Sequence, residues 1–142
     1  MPSAASAAQR EAARLASLTF FLDHQIGRYQ VARILRAAGA KVEVHLDHFA
    51  GDMPDVEWIP RVAARHWVLI TKDQHIRRNP LEVAAYRASK LRGFVATGKD
   101  MSADELGELL VQCLPGMVRR VVNRMGPLLF TISRGGMFMK LI

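Results

Sequence analysis

Asp23, Asp55, Glu57 and Asp73 are the side chains in this 142-residue sequence whose types and spacing could do chemistry together. Asp23 closes the apolar run Leu18–Leu22. Asp73 follows the run Trp67–Thr71, with Lys72 between them. Asp55 and Glu57 sit directly behind Pro54, at the start of an amphipathic segment. With the two runs as parallel strands and the segment as a helix following another strand, all four acids fall on one rim. Open parallel sheets present their ligands at that rim, outside the carboxyl ends of the strands. Unpaired carboxylates crowded there repel one another, and a bound cation removes the cost. Mg²⁺ prefers oxygen ligands, needs few protein carboxylates and keeps waters of its own. Such an ion polarises a phosphate and acidifies a bound water. Asp23, Asp55 and Asp73 form the expected catalytic set, and Glu57 joins them as a metal ligand. Each has an ordinary alternative: Asp23 as a helix cap, Asp55 as a partner for the helix dipole, Glu57 as a solvated surface acid, Asp73 as a turn residue. Their joint placement on one rim is what favours the metal.

Basic side chains stand beside them. Lys72, His75, Arg77 and Arg78 follow the same strand as Asp73 and are the candidate phosphate-binding residues, with a solvated basic loop as the plainer alternative. The charge is segregated along the chain. Five acids and no Lys or Arg lie between Glu43 and Glu57, whereas Arg61 to Arg92 holds eight bases against Asp73 and Glu82, and no acid follows Glu108. A net charge of +7 favours a polyanionic partner. The five histidines lack a zinc-binding arrangement: His45 and His48 are three apart, but in a strand and its exit. Walker A, GxGxxG and Gly-x-Ser-x-Gly patterns are absent, which removes phosphate cradling by a glycine-rich loop and a nucleophile elbow.

The elements that must position these residues are legible as alternating strands and helices. Leu18–Leu22, Lys41–Leu46, Trp67–Thr71, Gly93–Thr97 and Pro127–Ser133 are the predicted strands. Helices are predicted over Ile26–Ala38, stopped by Gly39; from Pro54, kinked or divided at Pro60; from Asn79-Pro80 to about Lys90; and from the capping box Ser102–Glu105, interrupted at Pro115-Gly116 and restarting to Asn123. Strict alternation predicts an α/β fold, a three-layer α/β/α sandwich around a mainly parallel five-stranded sheet. One domain over 18–136 accounts for the chain, preceded by a flexible or helical extension over 1–17 and followed by the apolar tail 137–142. That tail is expected to be buried on a sheet edge, a partner or a second copy in a homodimer. Cys113, the single cysteine, reads as a buried small hydrophobe, so a reducing cytoplasm is the expected compartment. No run reaches the ~18–20 apolar residues of a membrane span.

Three stretches together resemble a known family: Phe21-Leu22-Asp23, Pro54-Asp55-Val56-Glu57-Trp58, and Leu69 to Pro80, which reads LITKDQHIRRNP. They are similar to the PIN-like domains grouped with VapC-type toxins, over about Thr19 to Gly135. The resemblance implies a PIN fold and an endoribonuclease dependent on Mg²⁺ or Mn²⁺, with RNA as substrate and an antitoxin protein as partner. It places Asp23, Asp55, Glu57 and Asp73 as the acids of the site. His24 stands where related domains often carry a second acid, and Asp100, after the fourth strand, is a loose match for a further ligand. The alternative is a non-catalytic nucleic-acid-binding module that keeps the fold. A phosphoacceptor receiver-like domain fits less well, because its acid pair after the first strand and its lysine after the fifth are missing.

Overall fold

The computed structural model describes residues 6–27 and 29–142. Five parallel strands, β1 (Thr19–Leu22), β2 (Lys41–Val44), β3 (Val68–Thr71), β4 (Arg92–Ala96) and β5 (Leu128–Ile132), are joined by β6 (Phe138–Lys140), antiparallel to β5. The order across the sheet is β2-β1-β3-β4-β5-β6. The sheet therefore has six strands rather than the expected five, because the apolar tail adds itself to the β5 edge. Leu141 and Ile142 continue the attachment through backbone bonds to Leu129.

Each strand feeds both faces. Phe20, Leu22, Val68, Ile70, Phe94, Ala96, Phe130 and Ile132 enter one buried cluster, with α2 (Gln30–Ala37) and α6 (Ala103–Val121) packed over them. Phe21, Leu69, Val95 and Leu129 enter the other, beneath α3 (Asp55–Ala64), α4 (His75–Arg78) and α5 (Pro80–Ser89). This period-two division, with both halves apolar, makes the three-layer sandwich. A further helix, α1 (Ala7–Ala16), lies against α6, and residues 1–5 of the predicted extension fall outside the described residues.

The crossover from β1 to β2 runs on one face and that from β2 to β3 on the other. β1 and β3, which lie side by side, thus mark the point where the winding reverses, and a crevice opens at their carboxyl ends. Backbone conformation shapes this rim. A 3-10 turn over His24–Ile26 and Gly27 at φ +94° precede α2, so the helix begins later than the expected Ile26; Arg28 lies outside the described residues. The second strand ends at Val44 and turns through His45–Asp47.

Neither long helix is divided at its proline. α3 runs unbroken through Pro60, and α6 through Pro115. An internal proline costs a helix about 3 kcal/mol. α6 offsets this by burying side chains on both sides of it: Leu109, Leu110, Cys113 and Leu114 before, Met117, Val118 and Val121 after. Each such side chain contributes about 1.5–3 kcal/mol. α3 does the same with Trp58, Ile59 and Val62, while Pro60 itself is exposed.

Candidate metal centre

Asp23 leaves β1 with its N–H donating to the Ile70 carbonyl of β3, so the sheet register itself sets its position. It is 2% exposed. One carboxylate oxygen accepts from the Gln25 N–H at 3.0 Å; the other accepts from the Thr71 hydroxyl at the end of β3. That hydroxyl in turn accepts the Asp73 N–H at 2.9 Å, and Asp73 Oδ1 accepts the His75 N–H at 2.9 Å. Thr71 thereby ties the first acid to the turn that carries the third. Burial pushes the Asp23 carboxyl up from about 3.8 to about 6, against the lowering effects of the Thr71 and Gln25 hydrogen bonds and of His24; the Asp73 charge adds to the rise.

Asp55 opens α3. Three residues on, Trp58 is buried to 1% exposure and donates its indole N–H to Asp55 Oδ1 at 2.9 Å. Behind Trp58 lies His45, wholly buried among Phe21, Phe49 and Trp58, with Nδ1 unpartnered; burial holds its imidazolium pKa below the ordinary value. Glu82 comes from the first turn of α5, where the Asn79 side chain accepts the Leu81 N–H and Pro80 occupies the first helical position. Asp55, Asp73 and Glu82 each bring one carboxylate oxygen to within 4.8 Å of the other two. They line a cleft of about 410 Å³ together with His24, His75 and Asn79.

The grouping differs from the expected set. Asp55 and Asp73 meet as expected. Asp23 is adjacent but is not one of the three. Glu57 is exposed and stands outside the group, since two residues apart on a helix face roughly opposite sides. Asp100 lines a different cleft. Glu82 takes the third place. The sequence pattern presented it only as the acid in the first turn of a capped helix, two residues beyond the resembling motif; its one spatial signal was the rigid Asn79-Pro80 start. Of the expected phosphate-binding residues, His75 lies in the acidic cleft, and Lys72, Arg77 and Arg78 line its neighbour.

A divalent cation fits this donor set on four observations. All three donors are carboxylate oxygens. Glu82 Oε2 is buried without a hydrogen-bond partner. The Glu82 carboxyl is raised by burial first and then by the charges of Asp55 and Asp73, with His75 opposing. Among the described residues, no Lys or Arg forms an ion pair with Asp23, Asp55, Asp73 or Glu82. The all-oxygen set suits a hard divalent cation.

The family profile described as PIN like domain matches residues 18–98, which contain the first four strands and all of these acids. The chain belongs to the PIN-like domain family. A Mycobacterium tuberculosis (strain ATCC 25618 / H37Rv) protein named "Putative ribonuclease VapC45" is 28% identical over 116 residues, covering 79% of this chain and 83% of that protein. No solved structure gives a significant match. The PIN-like match agrees with the mostly parallel sheet flanked by helices, and no helix among the described residues is long and apolar enough to cross a membrane.

Proposed function

We propose that this PIN-like protein is a divalent-metal-dependent endoribonuclease, the toxin of a toxin–antitoxin pair, acting on RNA in the cytoplasm. The observation that carries the reading is the meeting of three carboxylate oxygens from α3, the β3 exit and α5 without a cationic side chain to neutralise them. The similarity to the M. tuberculosis protein named as a ribonuclease supports the RNA substrate and suggests the antitoxin. The unit that performs the reaction is residues 18–136.

Asp55, Asp73 and Glu82 would hold Mg²⁺ or Mn²⁺. When bound, the ion supplies positive charge to a phosphodiester and lowers the pKa of a water. The chain's own groups fix the geometry. Trp58 orients the Asp55 carboxylate, and the His75 N–H orients that of Asp73. Asp23, held by Thr71 and Gln25, keeps a carboxyl beside the ligands that changes protonation near pH 6, a suitable range for holding or releasing a proton. Lys72, His75, Arg77 and Arg78 attract the phosphates of the substrate.

Purified protein with Mg²⁺ or Mn²⁺ should cut single-stranded RNA. Asp73→Asn and Glu82→Gln should each lower the rate at least a hundredfold, and Glu57→Gln should leave it within about twofold. Full cleavage by Glu82→Gln would sink the ligand assignment. The second reading, a non-catalytic RNA-binding module, draws on His24 standing where related domains often carry a further acid. Salt-sensitive RNA binding with no cleavage under either metal would favour it.

A further inference from the structure

Residues 72–82 form a wall with a different chemistry on each side. Asp73, His75 and Glu82 face the acidic cleft; Lys72, Gln74, Arg77 and Arg78 face a second cleft of about 580 Å³. The far side of the second cleft is the loop over residues 96–101, which contributes Lys99 and Asp100. Four basic side chains thus surround one acid, and among the described residues none of the four is in an ion pair. The loop is anchored. Arg134 donates to the Lys99 carbonyl at 2.9 Å and pairs with Glu105 at 3.3 Å. Gly98 allows this close fit, because a Cβ there would lie 2.7 Å from Met101 Sδ and 3.2 Å from Arg134 Cβ. On the wall, Arg77 Nε and Gln74 Oε1 are buried without partners, a donor and an acceptor that protein neighbours leave unmet.

We infer that this cleft is a second phosphate subsite for an RNA strand, separated from the acids by the 72–82 wall and completed by Lys99 across it. The identity of the polyanion rests on the ribonuclease reading; the site itself rests on the charge and shape just described. A strand whose scissile bond lies over the acids crosses the wall and sets a neighbouring phosphodiester between Arg78 and Lys99. The Trp58 and Trp67 rings are packed in the second core rather than presented as stacking platforms here, so recognition on this side is by backbone charge and tolerates different base sequences.

The test uses the full-length protein in chelator, where binding is read apart from cleavage. Anisotropy of a labelled single-stranded RNA is followed through a salt series. Lys99→Ala and Arg78→Ala should each weaken binding severalfold and reduce the slope of log K against log salt by about 0.7, one phosphate contact on a single strand. Lys41→Ala, at the opposite end of the sheet, should change neither. Unchanged affinity and slope in both cleft variants would overturn the proposal, as would a nucleoside monophosphate binding the wild type as tightly as the RNA does. The expected slopes together with no cleavage by the metal-loaded wild type would uphold the cleft and defeat the ribonuclease reading alone. Normal cleavage with unaltered slopes would do the reverse.

Discussion

The Asp23 carboxyl accepts two hydrogen bonds, yet burial outweighs them and leaves it near 6 in the folded chain. A carboxyl whose folded value lies above its unfolded one holds its proton longer in the native state. The contribution of Asp23 to stability is therefore fully present below about pH 4, is lost as the pH rises from about 4 to 6, and amounts to roughly 3 kcal/mol for a shift of this size. Asp23→Asn should make this slope shallower and make the chelated protein more stable at neutral pH, measured by urea unfolding across pH. A steeper slope in the variant would place the titration elsewhere. Glu82 has a related cost: it is held against Asp55 and Asp73. In chelator, Glu82→Gln should raise Tm, and added Mn²⁺ should stabilise the wild type more than the variant. Trp58 acts through Asp55. Trp58→Phe keeps an aromatic ring in the core and removes the indole donor, so Mn²⁺ affinity by calorimetry should fall about 10–100-fold in protein that remains folded. A variant that binds Mn²⁺ as tightly as the wild type would show that the indole does not orient the ligand.

At the level of elements, close approach is built in where β4 passes between β3 and β5. A Cβ on Gly93 would lie 2.9 Å from the Tyr86 hydroxyl and 3.0 Å from both Leu69 Cβ and the Leu69 carbonyl. The Tyr86 hydroxyl crosses above it to donate to the Leu128 carbonyl. Gly93→Ala should cost about 1–3 kcal/mol in chemical denaturation, since the Leu69 backbone on one side and the hydrogen-bonded Tyr86 hydroxyl on the other resist movement. Much of this level was readable from residue types. The apolar runs ending at Asp23 and Thr71, the Asn79-Pro80 helix start and the Ser102–Glu105 capping box all appear as elements or caps, because their signals are local. Pro60 and Pro115 do not divide their helices, because the burial that keeps them whole is against residues distant in sequence. Glu82 was hidden for the same reason. Its partners are 27 and nine positions away, and only the packing of α5 beside α3 brings them together.

Across the whole molecule, the winding reversal between β1 and β3 gathers acids at the centre of one rim, while basic side chains from the β3 and β4 exits stand next to them. The other end of the sheet is finished differently. β6 caps the β5 edge, and Phe138 packs edge-on to Phe94 at 5.8 Å with the Arg120 guanidinium 3.8 Å from its ring centroid. Removing residues 137–142 exposes the β5 backbone and this apolar surface together. The shortened chain should lose Tm and self-associate, detectable by size exclusion with light scattering. A shortened chain with the wild type's mass and Tm would show that β6 is dispensable.

Within the wall, the single turn of α4 sets His75 toward one cleft and Arg77 and Arg78 toward the other by helical phase. Each residue added to a helix turns those after it by 100°. One extra amino acid inside α4, between His75 and Arg77, would swing the arginines toward the carboxylates, letting them neutralise one another. The spacing of this short stretch is therefore what keeps the protein from inhibiting itself, and length changes here should be far less forgiving than substitutions.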